Sequence, residues 1–186
     1  MFRVLVCIGF IGVMPLIQGQ AATTAATDIP AYVRNILEQE FPNSKFERTT
    51  HFLTPSQRAK VDELMGEEPA SDLIISYRVL EDGEPKATLF FDTHKVRTAS
   101  ETILIAVSET GAVQKLKTIA FGEPREYLPR QAWFDQFLGR KLSARLALKQ
   151  DIHGVTGATI TARKTTSAAR RALALHRVLF GKPTAE

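Results

Sequence analysis

Between Leu73 and Phe121 the apolar residues fall into short runs rich in β-formers, and this change of pattern does most to limit the fold. Leu73 to Leu80 and Lys86 to Phe91 flank Glu81-Asp82-Gly83-Glu84, and Thr102 to Ser108 and Ala112 to Phe121 flank Glu109-Thr110-Gly111 in the same way. Each pair is a hairpin signal, so two hairpins and about four antiparallel strands are expected. Helical patterns lie before and after them without strand–helix alternation, which makes the fold class α+β. At 186 residues, 44% hydrophobic and 24% charged, the chain can bury one core and is neither a disordered tail nor a bundle of membrane spans. A net charge of +4, spread over this length, does not mark a nucleic-acid binder, and no nucleic-acid partner is expected.

Ahead of the strands, Asp28 is placed to cap a helix with Pro30 in its first turn. Ile29, Val33, Ile36, Leu37 and Phe41 then recur at helical spacing until Pro42-Asn43 stops them. Thr54-Pro55-Ser56-Gln57 reads as a capping box opening a second helix, with Gly66 as its exit. After the strands, Pro124 and Pro129 punctuate a loop before a short helix carrying Trp133, Phe134 and Phe137, which Gly139 ends. Aromatics at that spacing are expected in the core. A last helix runs from near Thr161 to about Phe180, with Ala168, Ala172, Leu175 and Leu179 as its buried stripe. Arg163, Arg170 and Arg177 repeat every seven residues, as a solvated face or as a docking surface for an acidic partner.

The first residues read as an export signal. Met1-Phe2-Arg3 is a short basic start, Val4 to Ile17 is almost wholly apolar, and small residues at Gly19 and Ala21 suit a signal peptidase. The expected organisation is a signal peptide over 1–21, a leader over 22–28 and a single domain over 29–186, with cleavage after Ala21 or Ala22; an uncleaved anchor is the alternative. Cys7, the one cysteine, would leave with the signal. The mature chain then has no thiolate for disulfides, zinc, iron–sulfur clusters or c-type haem, and any redox work needs an organic cofactor.

No HExxH, GxSxG, GxxxxGK[ST] or post-strand GxGxxG pattern is present. His51, His94, His153 and His176 lack metal-ligand spacing, so no metal site and no catalytic set is expected. One stretch stands apart: Gly154-Val155-Thr156-Gly157-Ala158-Thr159-Ile160-Thr161, directly before the basic terminal helix. Its small residues keep bulk away, its threonines supply hydroxyls, and the first amides of the helix have no backbone partner. This reads as a cradle for a phosphate, or as an ordinary threonine cap after a glycine turn.

Thr156-Gly157-Ala158-Thr159-Ile160-Thr161 resembles the [ST]-G-A-T-x-[ST] motif of FMN-binding domains. These include the flavin subunits of sodium-translocating quinone reductase and Rnf electron-transport complexes. Thr93-His94-Lys95-Val96-Arg97-Thr98 and Phe121-Gly122-Glu123-Pro124-Arg125-Glu126-Tyr127-Leu128-Pro129 are similar to motifs of small exported members made of this domain alone. Where the family commonly carries Asp three positions before the motif, this chain has His153.

The resemblance implies FMN held by a phosphoester to Thr159, attached by a magnesium-dependent flavin transferase that uses FAD and releases AMP. It implies an exported electron-transfer flavoprotein in the periplasm or on the outer face of the cytoplasmic membrane, more an electron carrier than a freestanding enzyme. Its partners would be a membrane or periplasmic donor and acceptor. Thr156 and Thr161 are then placed to donate to phosphate oxygens, Gly157 and Ala158 to allow close approach, and Arg97, His94 and Glu123 to lie near the cofactor. A non-redox module that binds a phosphate-bearing ligand reversibly, and a flavin-dependent reductase subunit, are the alternatives.

Overall fold

The computed structural model describes residues 23–26, 28–65 and 71–181. The chain runs β1 (Thr23–Ala26), α1 (Ala31–Glu40), β2 (Lys45–Phe52), α2 (Pro55–Met65), β3 (Leu73–Glu81), β4 (Glu84–Lys95), β5 (Ser100–Ser108), β6 (Val113–Phe121), α3 (Gln131–Phe134) and α4 (Thr159–Phe180). The strands form one antiparallel sheet whose spatial order is the chain order, five long strands with β1 as a short edge. The α+β class is as expected. The signal segment and Gly66 lie outside the described residues.

Both predicted hairpins form. Asp82 and Gly83 take φ values of 54° and 83°, as a two-residue turn between right-twisted strands requires. The sheet nevertheless has more strands than the expected four. Lys45–Phe52 pairs with β3 along its whole length. Only Phe46 and Phe52 are apolar along it, and Phe52 is exposed, so no apolar alternation marks it in the sequence. Thr23–Ala26, assigned from the sequence to the leader, pairs with β2. Strand β4 also runs on through Thr93, His94 and Lys95 and turns back at 96–99 to pair with β5.

Strand β5 is the centre of the molecule. Ile103, Leu104, Ile105, Ala106 and Val107 are all wholly buried, because helices cover both sheet faces. On one face α1 packs Val33 and Leu37 against Val79, Leu89, Leu104 and Ala106. On the other, α4 lays Ala168, Ala169, Ala172 and Leu175 over Phe90, Ile103, Ile105 and Val107, with Trp133, Phe134 and Phe137 in the same cluster. Burying each large aliphatic side chain contributes roughly 1.5–3 kcal/mol, and small residues on α4 let it approach the sheet closely. The aromatic trio is core, as its spacing predicted, with edge-on ring contacts of 5.2 and 5.3 Å around Trp133.

Two details differ from the sequence reading. The N-cap of α1 is Pro30, with no side-chain cap, so Asp28 does not cap it; the helix opens at Ala31, one residue past the proline. The arginines of α4 are not one solvated column. Arg163 and Arg177 are exposed, whereas Arg170 reaches back to the carbonyls of Ser143 (2.6 Å) and Leu146 (3.3 Å). The capping box is as expected: Gln57 N–H donates to Thr54 Oγ1 at 3.2 Å and Thr54 N–H to Gln57 Oε1 at 3.0 Å.

The outer strand β6 has two register shifts against β5, between Thr102 and Ile103 and between Ala106 and Val107. Lys115 and Lys117 lie along it, and both pair with Glu40 at the end of α1. Lys115 Nζ also donates to the Glu40 carbonyl at 2.6 Å, placing a cation at the negative end of the helix.

Candidate functional site

The glycine-threonine stretch is a turn that delivers the chain into α4. Gly157 has φ 83°, a left-handed conformation that favours glycine, and a Cβ built there would meet nothing within 4 Å. Ala158 N–H closes the turn onto Val155 O at 3.3 Å. The N-cap of α4 is Ala158, and no side chain caps the helix. The first intrahelical bond runs from Ala162 N–H to Ala158 O at 2.9 Å, which leaves the amides of Thr159, Ile160 and Thr161 without an intrahelical partner. An ordinary threonine cap is therefore not what this turn builds. The positive end of a 22-residue helix is presented without an internal acceptor.

The three threonines have different surroundings. Thr159 is exposed in the first turn, and its hydroxyl donates only a long 3.3 Å bond to Val155 O. Thr156 is exposed at the turn. Thr161 is buried, and its hydroxyl donates to Tyr127 O at 2.7 Å. Its single proton is thereby committed to fastening α4 to the 125–127 turn, so it has none to give a phosphate.

Arg97 meets this loop in space. A cleft of about 270 Å³ is lined by Arg97, Tyr127 and residues 157–161, and the guanidinium lies 5.0 Å from the centre of the Tyr127 ring. The placement comes from Glu123. Its carboxylate accepts the amides of Ala99 (2.8 Å), Thr98 (2.6 Å) and Arg97 (3.0 Å). Those amides, led by Ala99 and Thr98, hold the carboxyl below the usual range. Gly122 permits the approach, since a Cβ there would come within 2.9 Å of Ala99 Cβ. Glu123 thus belongs to the 96–99 turn and does not line the cleft; it positions Arg97.

His94 is placed elsewhere. On β4 its Nδ1 contacts Asp92 at 2.8 Å and its Nε2 contacts Glu101 at 3.1 Å. Only a doubly protonated ring donates to both carboxylates. Burial opposes that charge, but the hydrogen bonds and negative charges of Asp92 and Glu101 outweigh it and raise the pKa to about 9. Arg171 of α4 pairs with the other Asp92 oxygen at 2.5 Å, and wholly buried Glu101 also accepts Thr118 Oγ1 (3.0 Å) and Thr165 Oγ1 (3.4 Å). His94 is therefore the centre of a charge network that fastens α4 to the sheet, and it is not among the residues lining the cleft at Thr159.

Two contacts just ahead of the turn were not read from the sequence. Trp133 Nε1 donates to His153 O at 2.7 Å, and His153 N–H donates to Gln136 Oε1 at 2.8 Å. The backbone on both sides of exposed His153 is thus clamped just ahead of the turn. A cleft of about 650 Å³ is lined by His176, Arg177 and Phe180 at the far end of α4 and shares no residue with the turn. Among the described residues no group of three or more His, Cys, Asp or Glu is arranged to hold a metal ion.

Residues 97–174 match the family described as FMN-binding domain, a span that begins at Arg97 and contains Glu123 and the whole glycine-threonine turn. This part of the chain resembles FMN-binding domains. No curated protein sequence matches the chain. Among solved structures it is similar to the crystal structure of Shewanella oneidensis NqrC, with 11% identity, a TM-score of 0.48, and coverage of 83% of this chain and 85% of that one. The residues present at the turn fit the phosphate of FMN on their own geometry. A phosphate monoester needs hydrogen-bond donors, a cation and room for close approach, and the unpartnered amides of α4, Arg97 and the open space at Gly157 supply them.

Proposed function

We propose that the protein is an exported electron-transfer flavoprotein whose FMN is esterified through its phosphate to Thr159. The observation that carries this reading is the uncapped first turn of α4, where an exposed threonine hydroxyl and free amides share a cleft with Arg97. The amides and the guanidinium hold the singly charged phosphodiester, Gly157 keeps side-chain bulk away, and Thr161 and the His94 network keep the helix end in place. When bound, the flavin supplies one- and two-electron chemistry, and the protein supplies its position and field. A covalent tether suits a protein outside the cytoplasm, where a dissociated cofactor is lost by dilution.

The apolar run at Val4 to Ile17 supports export to the periplasm or the outer face of the cytoplasmic membrane. Among the described residues no helix is long and apolar enough to cross a membrane. A flavin transferase would act on the exposed Thr159, with the main chain at His153 held by Trp133 and Gln136. Arg97, Arg125, Arg130, Arg163 and Lys164 are all exposed, which favours donor and acceptor proteins that present acidic surfaces.

The test is intact-mass analysis of the processed chain made together with a flavin transferase, combined with in-gel fluorescence after denaturing electrophoresis. A single FMN adduct mapped to Thr159 is expected. A bare polypeptide despite active transferase, or an adduct on another residue, overturns the assignment.

A further inference from the structure

Phe180, the last residue of α4, meets nitrogen-bearing side chains from three elements. Its ring lies 5.4 Å from that of His51 of β2, edge-on, and 5.6 Å from that of His176 one turn back on α4. The Arg78 guanidinium of β3 lies 5.6 Å from its centre. His51 and His176 are only 5% and 4% exposed. We propose that this cluster is an acid-sensitive latch: when its two histidines take up protons, the last turns of α4 leave β2 and β3 while the rest of the helix stays docked. The latch lies at the opposite end of α4 from Thr159 and does not depend on the attachment reading.

The cluster accommodates neutral rings and penalises charged ones. His51 Nε2 meets Ser76 Oγ at 2.8 Å, a partner that asks for no charge on the ring. His176 Nε2 is buried with no hydrogen-bond partner, and an imidazolium, which donates from both nitrogens, would bury an unpaired charged donor there. Arg78 already sets a positive charge against Phe180, and a proton on either histidine adds a like charge beside it. Glu109, the acid that faces His176, is paired with Arg78 at 3.2 Å. Lys141 and Arg177, which line the cleft beside His176, add further positive charge.

Burial holds the His51 ring below its ordinary value of 6.5. Burial does the same at His176, where Glu109 pulls upward and Arg78 downward. In both cases the opened state binds the proton more tightly than the closed one, so closure weakens as pH falls through 6.5. His94 behaves in the opposite way. Held between Asp92 and Glu101, it is charged up to about 9, and its network fastens α4 to the sheet through Arg171 and Thr165. That fastening stays made while the far end loosens.

Amide exchange on the full chain tests the latch, with rates expressed as protection factors so that the intrinsic pH dependence cancels. On going from about pH 7.5 to about pH 5.5, each ring released favours opening by up to about tenfold. Protection at residues 174–180 should therefore fall by about tenfold or more, with protection in β5 and at residues 163–168 unchanged. The double variant His51→Gln with His176→Leu cannot charge and should keep its protection across the range. If it folds poorly, His51→Gln alone carries the test and should show a smaller fall than the wild-type chain. Constant protection at 174–180 in the wild-type chain, a fall as large as the wild type's in either variant, or an equal fall in β5 overturns the latch.

Discussion

The indole N–H of Trp133 donates to the main-chain carbonyl of His153 at 2.7 Å, so a residue of the hydrophobic core holds the backbone that leads into the turn at Gly157. Trp133→Phe keeps most of the apolar contact and removes the donor. One lost hydrogen bond of this kind costs about 1 kcal/mol, so thermal unfolding should show a fall of a few degrees. Flavin incorporation per chain should slow as the turn loosens. Incorporation at the native rate, timed by in-gel fluorescence, would mean the clamp does not help present the turn.

Thr159→Ala should abolish covalent flavin and leave stability within about 0.5 kcal/mol, as expected for an exposed position away from core packing. Thr159→Ser, which restores a hydroxyl at the same place, should recover attachment. Denaturant unfolding and intact mass check the two halves of this expectation separately.

Glu123→Gln should loosen the 96–99 turn, because a neutral amide replaces the carboxylate that accepts three main-chain N–H groups. Hydrogen exchange at Arg97, Thr98 and Ala99 should speed up while exchange in β5 is unchanged. The depressed carboxyl also fixes a sign. Its stabilisation is present above the unfolded pKa and is lost as pH falls through the lower folded value. Acid unfolding should therefore lose part of its steepness in the variant.

His94 has the opposite dependence. Its folded pKa is raised to about 9 from an ordinary 6.5, so its contribution is complete below the unfolded value and disappears as pH rises through about 9. The amount at stake is on the order of 3 kcal/mol. Urea unfolding should show the wild-type chain losing stability across that window and His94→Gln losing much less. Parallel curves for the two proteins would contradict the ion-pair network.

The sequence made the two hairpins, the capping box at Thr54, the aromatic core and the terminal helix legible, because each is written in local periodicity or turn chemistry. Strand β2 escaped because only Phe46 and Phe52 are apolar along it; it is a strand by virtue of its partner β3. The turn at Gly157 and Thr159 were visible as a motif. Their surroundings were not, since Arg97, Tyr127 and Thr159 come together only when the 96–99 turn, the 125–127 turn and α4 meet. For the same reason His94 and Glu123 were read as cofactor neighbours. Both are polar residues in matching motifs, and only the fold shows that one ring is held between two carboxylates and that one carboxylate serves three amides. Trp133 and Gln136 carried no signal beyond helical spacing, because a bond from a side chain to a distant carbonyl leaves no pattern in sequence.

Strand β6 ends the sheet with two breaks in its pairing and lysines directed into ion pairs with the helix beside it. A strand so irregular and so charged is a poor template for the backbone of a neighbouring molecule. This edge therefore disfavours filament growth by strand addition from one copy to the next.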